Sequence, residues 1–293
     1  MKDILLISNI EIHNANALSS PYTVGFPAMS AWLGFMHALE RKMHSSEFED
    51  VKLSGLIVSC IDMHLHTFKG RGDYVSSIVS TANPLNDKGE RSSFIAEARC
   101  DMEVSLAIEC VMGALNIEDF TNFVKQTLHK MKMASGDILH FESVRHLEIE
   151  DEDVRQLSRY LMPGFCLVSR QELMQQSMQE GQDAIDALLD YIKLTRVIEI
   201  DEEKKIKQDK YSSKEKGWLM PISVGYQAIS DLEKIEHQRD SNTPHRFVEN
   251  IVTLGEFKMP YHFDTIDEMM WRYEIDKDNG LYLCKNNFKK TGE

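Results

Sequence analysis

Apolar and polar positions along this chain switch between two periods. Ile4 to Ile12 is an apolar, β-branched run that reads as a buried strand, and Met29, Trp32, Leu33, Met36, Leu39 and Met43 then recur at helical spacing. Leu53 to Leu65 reads as a second strand. Ala98 to Ile108 reads as a third, with Met102, Val104, Leu106 and Ile108 in alternation. Asn116-Ile117-Glu118-Asp119 has the form of a helix start, an Asx cap followed by acids that suit the positive end of a helix. The helix is predicted through Phe120, Phe123, Val124, Leu128 and Met131 to a stop at Gly136, and Asp137 to Phe141 is predicted as a closing strand.

The order strand, helix, strand, strand, helix, strand is that of a split βαβ, ferredoxin-like or RNA-recognition-motif (RRM) core. The expected class is therefore α+β, with the core in residues 1–145 and an inserted loop at 66–93. Residues 146–293 are predicted as an appended helical or mixed region packing on it. There Glu152 to Leu161 reads as a short helix, and Ser169-Arg170-Gln171-Glu172 as a capping box. Gly181 breaks or kinks the helix so opened, and Asp183 to Leu194 resumes the helical pattern. Glu199 to Lys216 has no apolar periodicity and reads as a mobile loop. Phe247, Ile251 and Leu254 form an amphipathic stretch, and a last helix is expected near Ile266 to Tyr273.

The pattern breaks at Asn14 to Pro27, between a strand and a helix, in a run of amides, hydroxyls and a glycine. Pro27 suits a first helical position. Such a stretch either meets a ligand, since backbone N–H groups at a strand-to-helix junction favour phosphate, or forms a structural Asx and Ser turn. On the helix that follows, Ser30, Gly34, His37 and Arg41 fall on one polar stripe beside the Met and Trp stripe. Gly34 costs about 1 kcal/mol relative to Ala in a helix interior, which implies close approach by a packed neighbour or by a ligand backbone. The 66–93 insert carries Lys69, Arg71, Lys88 and Arg91 with Phe68 and Tyr74 among glycines. Those are the parts of a single-strand RNA clamp, cations for phosphates and rings for bases, or of a solvated surface loop. Trp218 and Arg246 are weaker candidates of the same kind.

Composition narrows the choice. The chain has 293 residues and a formal charge of −14, which opposes nucleic-acid binding, because phosphate affinity comes from Lys and Arg. Charge is uneven, however: Glu148 to Asp153 is an acidic block, whereas Lys204 to Lys216 holds six Lys against two acids. No run of about 18 apolar residues exists to cross a membrane, and a soluble, intracellular protein is expected. The five Cys include no Cys-x-x-Cys pair, so neither a disulfide framework nor a zinc ribbon is expected. His64 and His66 share a strand face but are too few ligands for zinc. No metal and no cofactor are expected, and no P-loop, nucleophile elbow or dinucleotide fingerprint is present. His13, His37 or His64 remain as possible general bases.

A set of ordered motifs spans the chain: Asn14-Ala-Asn-Ala-Leu-Ser-Ser-Pro, Gly25-Phe-Pro, Gly34-Phe-Met-His-Ala-Leu, Asn83-Pro-Leu-Asn, Leu161-Met-Pro-Gly-Phe, Leu167-Val-Ser-Arg, Asp186-Ala-Leu-Leu-Asp, Arg246-Phe-Val-Glu-Asn and Gly280-Leu-Tyr. With these it resembles the Csy-two subunits, a Cas-five family, of the type I-F CRISPR RNA-guided surveillance complex. The resemblance implies a cytoplasmic, prokaryotic, non-catalytic protein of antiviral defence. Such a subunit grips the 5′ handle of CRISPR RNA, pairs with the large subunit of the Cas-eight family, adjoins a backbone subunit of the Cas-seven family, and meets target DNA through the complex. Target sequence would then be read by RNA–DNA pairing, with protein holding backbone and shape. Carried onto this chain, handle binding falls on Asn14, Asn16, Ser19, Ser20, Gly25 and Phe26, on Ser30, Gly34 and His37 of the first helix, on Lys69, Arg71 and Arg91 of the insert as a thumb-like projection, and on Arg246. Two other readings stay open, an endoribonuclease processing CRISPR RNA and a protein-only adaptor in the same complex.

Overall fold

The computed structural model describes residues 1–82, 84–113, 115–200, 206–238 and 240–288. Its first half contains β1 (Lys2–Asn16), β2 (Leu18–Ser20), β3 (Thr23–Val24), α1 (Met29–His44), β4 (Lys52–Leu65), β5 (Thr67–Phe68), β6 (Ser77–Ile78), β7 (Ser80–Ala82), β8 (Phe94–Ala96), β9 (Arg99–Val111), α2 (Ile117–Leu128), β10 (Lys132–Met133) and β11 (Gly136–Ile149). The second half contains α3 (Val154–Leu161), β12 (Phe165–Ser169), α4 (Gln171–Gln179), α5 (Ala184–Ile192), β13 (Thr195–Ile200), β14 (Ile206–Ser212), β15 (Trp218–Ala228), β16 (Val248–Lys258), β17 (Trp271–Asp276) and β18 (Leu281–Asn286). The class is α+β, with five α-helices among the described residues around one ten-stranded sheet in the order β10-β11-β1-β9-β4-β12-β16-β15-β18-β17. Neighbouring strands are antiparallel throughout.

Both faces of this sheet are covered, which is why Ile4 to Ile7 is continuously apolar instead of alternating. Leu5 and Ile7 join the cluster formed by Met29, Trp32, Leu33 and Met36 of α1 and by Phe120, Val124 and Leu128 of α2. Ile4 and Leu6 point the other way, into a second cluster with Val154, Leu157 and Leu161 of α3 and with Phe263, Ile266, Met269 and Met270. Asn116 caps α2 as its sequence suggests, its side chain accepting from Glu118 N and Asp119 N.

Several expectations are corrected. Helix α2 ends at Leu128 and not at Gly136. Gly136 instead begins β11, where a Cβ would stand 2.7 Å from the His13 carbonyl oxygen. The Asn14–Pro27 stretch is not a loop, because β1 runs on to Asn16 and β2 and β3 pair as a small hairpin. Helix α1 starts at Met29, leaving Pro27 outside it. The Ser169 capping box does not form: Glu172 is drawn instead to the Arg170 guanidinium. Gly181, at φ 100°, does separate α4 from α5, and Asp183 caps the latter.

The largest correction concerns residues 146–293, which supply half of the main sheet as well as α3, α4 and α5. The segment expected as a loop at 199–216 overlaps β13 and β14, which pair with each other, while residues 201–205 lie outside the described set. The stretch with Phe247, Ile251 and Leu254 is strand β16. Near 266–273 a short 3-10 turn at Asp267–Met269 leads into β17. Short apolar runs fit either period, and here β-branched Val248, Ile251, Val252 and Thr253 fit a pleated surface better. Pairing runs from β4 through β12, β16, β15, β18 and β17 and returns to β4 at Trp271 and Leu56, a closed circuit.

Candidate nucleic-acid interface

Helix α1 buries Trp32, Leu33 and Met36 and thereby turns the stripe of Ser30, Gly34, His37 and Arg41 outward. That stripe floors a groove of about 850 Å³. One end is formed by Asn16 and the β2–β3 hairpin with Ser19 and Ser20, together with the β10–β11 turn at Ala134 and Ser135. The opposite wall is Tyr226, Tyr273, Tyr282 and Asn250. Asn250, Tyr226 and Tyr282 lie level across β16, β15 and β18. Gly225 makes this approach possible: at φ 150°, any Cβ there would lie 2.1 Å from the Tyr282 carbonyl oxygen.

Charge in the groove runs against the molecule as a whole. Among the described residues that line it there is no Asp or Glu, while His37 and Arg41 are exposed in it. Neither side chain makes a salt bridge among the described residues. The tyrosine rings lie in sequence, with centroids 6.5 Å apart for Tyr226 and Tyr282 and 5.0 Å for Tyr273 and Tyr282. Burial holds the Tyr273 and Tyr282 phenols above their ordinary range, so both remain protonated hydrogen-bonding groups. Exposed cations, aromatic faces and neutral hydroxyls are what single-stranded nucleic acid needs from a protein surface.

The hairpin side chains that line the groove are partly committed. Asn16 bonds the Leu18 backbone through both ends of its amide, and the Ser19 and Ser20 hydroxyls bond Thr23 Oγ1 at 3.0 and 2.6 Å. Tyr22 Oη donates to the Asn250 carbonyl at 3.1 Å and pins the hairpin tip to β16. The first stretch is thus a structural turn that also borders the groove.

Other expected residues lie elsewhere. Phe26 is 1% exposed, stacked on Trp32 and edge-on to Phe257, so it belongs to the core and offers no surface for RNA. Gly25 borders a separate apolar cavity. Asn14 sits at φ 60° with its N–H on Asp101 Oδ1, outside the groove lining. Lys69, Arg71 and Arg91 are exposed on the insert, and Arg246 is exposed against Gly280; none lines the groove. Tyr226, Tyr273, Tyr282 and Asn250 were missed because only the β15–β18, β17–β18 and β15–β16 pairings bring them together. Arg41 was legible in the helical stripe.

Asp101 collects His13 Nδ1 at 2.8 Å and His66 Nε2 at 3.1 Å. Burial works against its charge, but the Asn14 amide and the two imidazoles outweigh that and hold its carboxyl below the usual range. Among the described residues only Asp3, His146 and Glu148 bring three ligand atoms within 4.8 Å of one another. Burial pushes the Cys60, Cys100, Cys110, Cys166 and Cys284 thiols up to about 12, which leaves them unreactive as nucleophiles.

A family model described as CRISPR-associated protein (Cas_Csy2) matches residues 5–284. This places the molecule among the CRISPR-associated proteins. CRISPR-associated protein Csy2 of Pseudomonas aeruginosa (strain UCBPP-PA14) is 32% identical over an alignment of 308 positions, covering 95% of this chain and 94% of the relative. The chain belongs to the Csy2 family, subunits of the type I-F CRISPR complex.

Proposed function

We propose that this chain holds the 5′ handle of CRISPR RNA in the α1 groove and pairs there with the large subunit of the complex, without cleaving RNA. The observation that carries the reading is a groove free of carboxylates, with Arg41 and His37 on its floor and three tyrosines on one wall, in a protein of charge −14. Arg41 supplies the phosphate contact, the tyrosines supply stacking and hydroxyl donors, and the open surface over Gly34 admits the backbone. Lys69, Arg71 and Arg91 contribute phosphate contacts from the insert.

Support for an RRM-like core comes from the order β11-β1-β9-β4 with α1 and α2 packed on one face. The opposite face, where RRM proteins stack bases, is buried along part of its length under α3 and residues 263–270, and the remainder carries Glu11, Asp62, Asp101 and Glu103, which do not favour phosphate. The RNA is therefore assigned to the helix side.

The test is to co-express the chain with the large subunit and a CRISPR RNA, purify through a tag on this chain, and sequence the 5′ ends of the bound RNA. RNA beginning in the repeat-derived handle and lost on Arg41→Ala with Tyr282→Ala supports the reading. A nucleic-acid-free pair with the large subunit overturns it in favour of the adaptor role. Cleavage of repeat RNA in chelator, abolished by His13→Ala, would favour the endoribonuclease; His13 on Asp101 lies outside the groove lining.

A further inference from the structure

On the far side of the β2–β3 hairpin lies a second cavity, of about 380 Å³, whose walls include Phe165, Trp218, Met220 and Phe257. Trp218 is 59% exposed although its ring packs 5.8 Å from Phe165 and 5.1 Å from Phe257. A rigid, half-open aromatic cup of this kind is the form of an interface anchor site. Strand β12 pairs with β4 only at Phe165 and Cys166. Beyond Cys60, β4 is therefore paired among the described residues with β9 alone, and its other edge has no strand partner beside the cavity, where Met63 N is held only by the Asp62 carboxylate at 2.9 Å and the Asp62 carbonyl only by Cys60 Sγ at 3.6 Å. A register shift between Cys60 and Asp62 bends the strand here, and Asp62 stands at the cavity mouth.

Charge identifies the occupant. Asp62 is shared with an adjoining hollow of about 220 Å³ that is also lined by Glu11, Asp101 and Glu103. Glu11, Asp62 and Glu103 make no salt bridge among the described residues. Asp101 is taken by His13 and His66, and His64 also lines the hollow, which leaves three carboxylates to repel a phosphate backbone, so nucleic acid is disfavoured at this mouth. A Lys or Arg is attracted, and the neighbouring cup takes one large apolar side chain. An open strand edge accepts an extended segment through main-chain hydrogen bonds.

We propose that this edge receives an extended segment from another protein subunit of the complex, with one large apolar side chain in the Trp218 cup and an adjacent Lys or Arg over Asp62. The proposal rests on membership of the complex and not on the RNA groove. The test uses the complex reconstituted from the full chain, its partner subunits and CRISPR RNA, with Trp218 replaced by the photo-crosslinker p-benzoylphenylalanine and, in a second preparation, Met63 replaced instead. The expected result is a cross-link to one subunit peptide that carries an apolar residue within two positions of Lys or Arg. Asp62→Lys should lower its yield at least tenfold, and a Lys→Glu or Arg→Glu change in that peptide should restore it. Cross-links to RNA, or none from either position in an assembled complex, would overturn the proposal. Retained CRISPR RNA is measured in parallel and is expected to be unchanged by Asp62→Lys, so failure of the groove reading and failure of this one are separable.

Discussion

A single methylene decides what lies over α1. A Cβ on Gly34 would meet the Tyr273 hydroxyl at 3.9 Å, an ordinary contact. The protein itself therefore does not require glycine there, and Gly34→Ala is expected to raise stability by up to about 1 kcal/mol through helix propensity. Gly34→Leu fills the groove without entering the core. Both should melt at or above the parent temperature while retaining less CRISPR RNA, Leu least; full retention by Gly34→Leu would place the RNA elsewhere. At Glu109 the residue scale shows a different economy. Burial opposes its charge, but hydrogen bonds from Lys2, Ser54 and Arg272 outweigh it and bring the carboxyl from 4.5 to about 2. A lowered folded-state value stabilises the fold fully above about pH 4.5, and that share is lost as pH falls towards 2. Denaturant titrations across this window should show stability falling with acid, with a shallower slope in Glu109→Gln, which is itself less stable by roughly 2 kcal/mol at neutral pH. An equal slope in the variant would assign the acid response to other carboxylates.

Elements with their own local signals were legible, and those defined by partners were not. Strands β4 and β9 and the Asn116 start of α2 follow from alternation and capping, because burial on a sheet or a bonded amide leaves a mark in neighbouring residues. The polar stripe of α1 was visible for the same reason. Its tyrosine wall was not, since Tyr226, Tyr273 and Tyr282 sit on three strands whose register is tertiary. The insert illustrates a mixed signal: its cations, Phe68 and Tyr74 were read, but the apolar Val75 and Leu85 are equally exposed on it. If Arg71 and Arg91 neutralise phosphates, replacing both by Ala should weaken RNA retention and reduce the slope of log affinity against log salt by about 1.4, near 0.7 per contact. An unchanged slope, with weaker assembly, would assign the insert to a protein neighbour through its apolar residues.

At the scale of the whole molecule, β4 is the strand on which both halves depend. It pairs β9 along one side, and on the other meets β12 at Cys60 and β17 at Leu56. The same hydrophobic cluster that holds α1 and α2 also contains Leu167, Ile222, Val224, Phe257 and Trp271. Trp271 is fully buried, and its indole N–H donates to the Leu167 carbonyl at 2.7 Å. A boundary near residue 145, natural from element order alone, therefore cuts through a core and not between two. Truncation after residue 150 would uncover Leu56 and Val58 of β4 together with the α1 surface that faces β15. The full chain is expected to melt in one calorimetric transition, and the 1–150 fragment to lack a cooperative transition and to bind hydrophobic dye. Trp271→Ala should cost about 3–5 kcal/mol and lower the melting of α1 and β11 together when followed by hydrogen exchange. A fragment that melts cooperatively alone, or a Trp271→Ala chain whose first half keeps parental protection, would show the second half to be an appendage. The dependence bears on the groove as well, because its floor comes from α1 and its tyrosine wall from β15, β17 and β18: RNA capture would then be a property of the closed sheet and not of the first half.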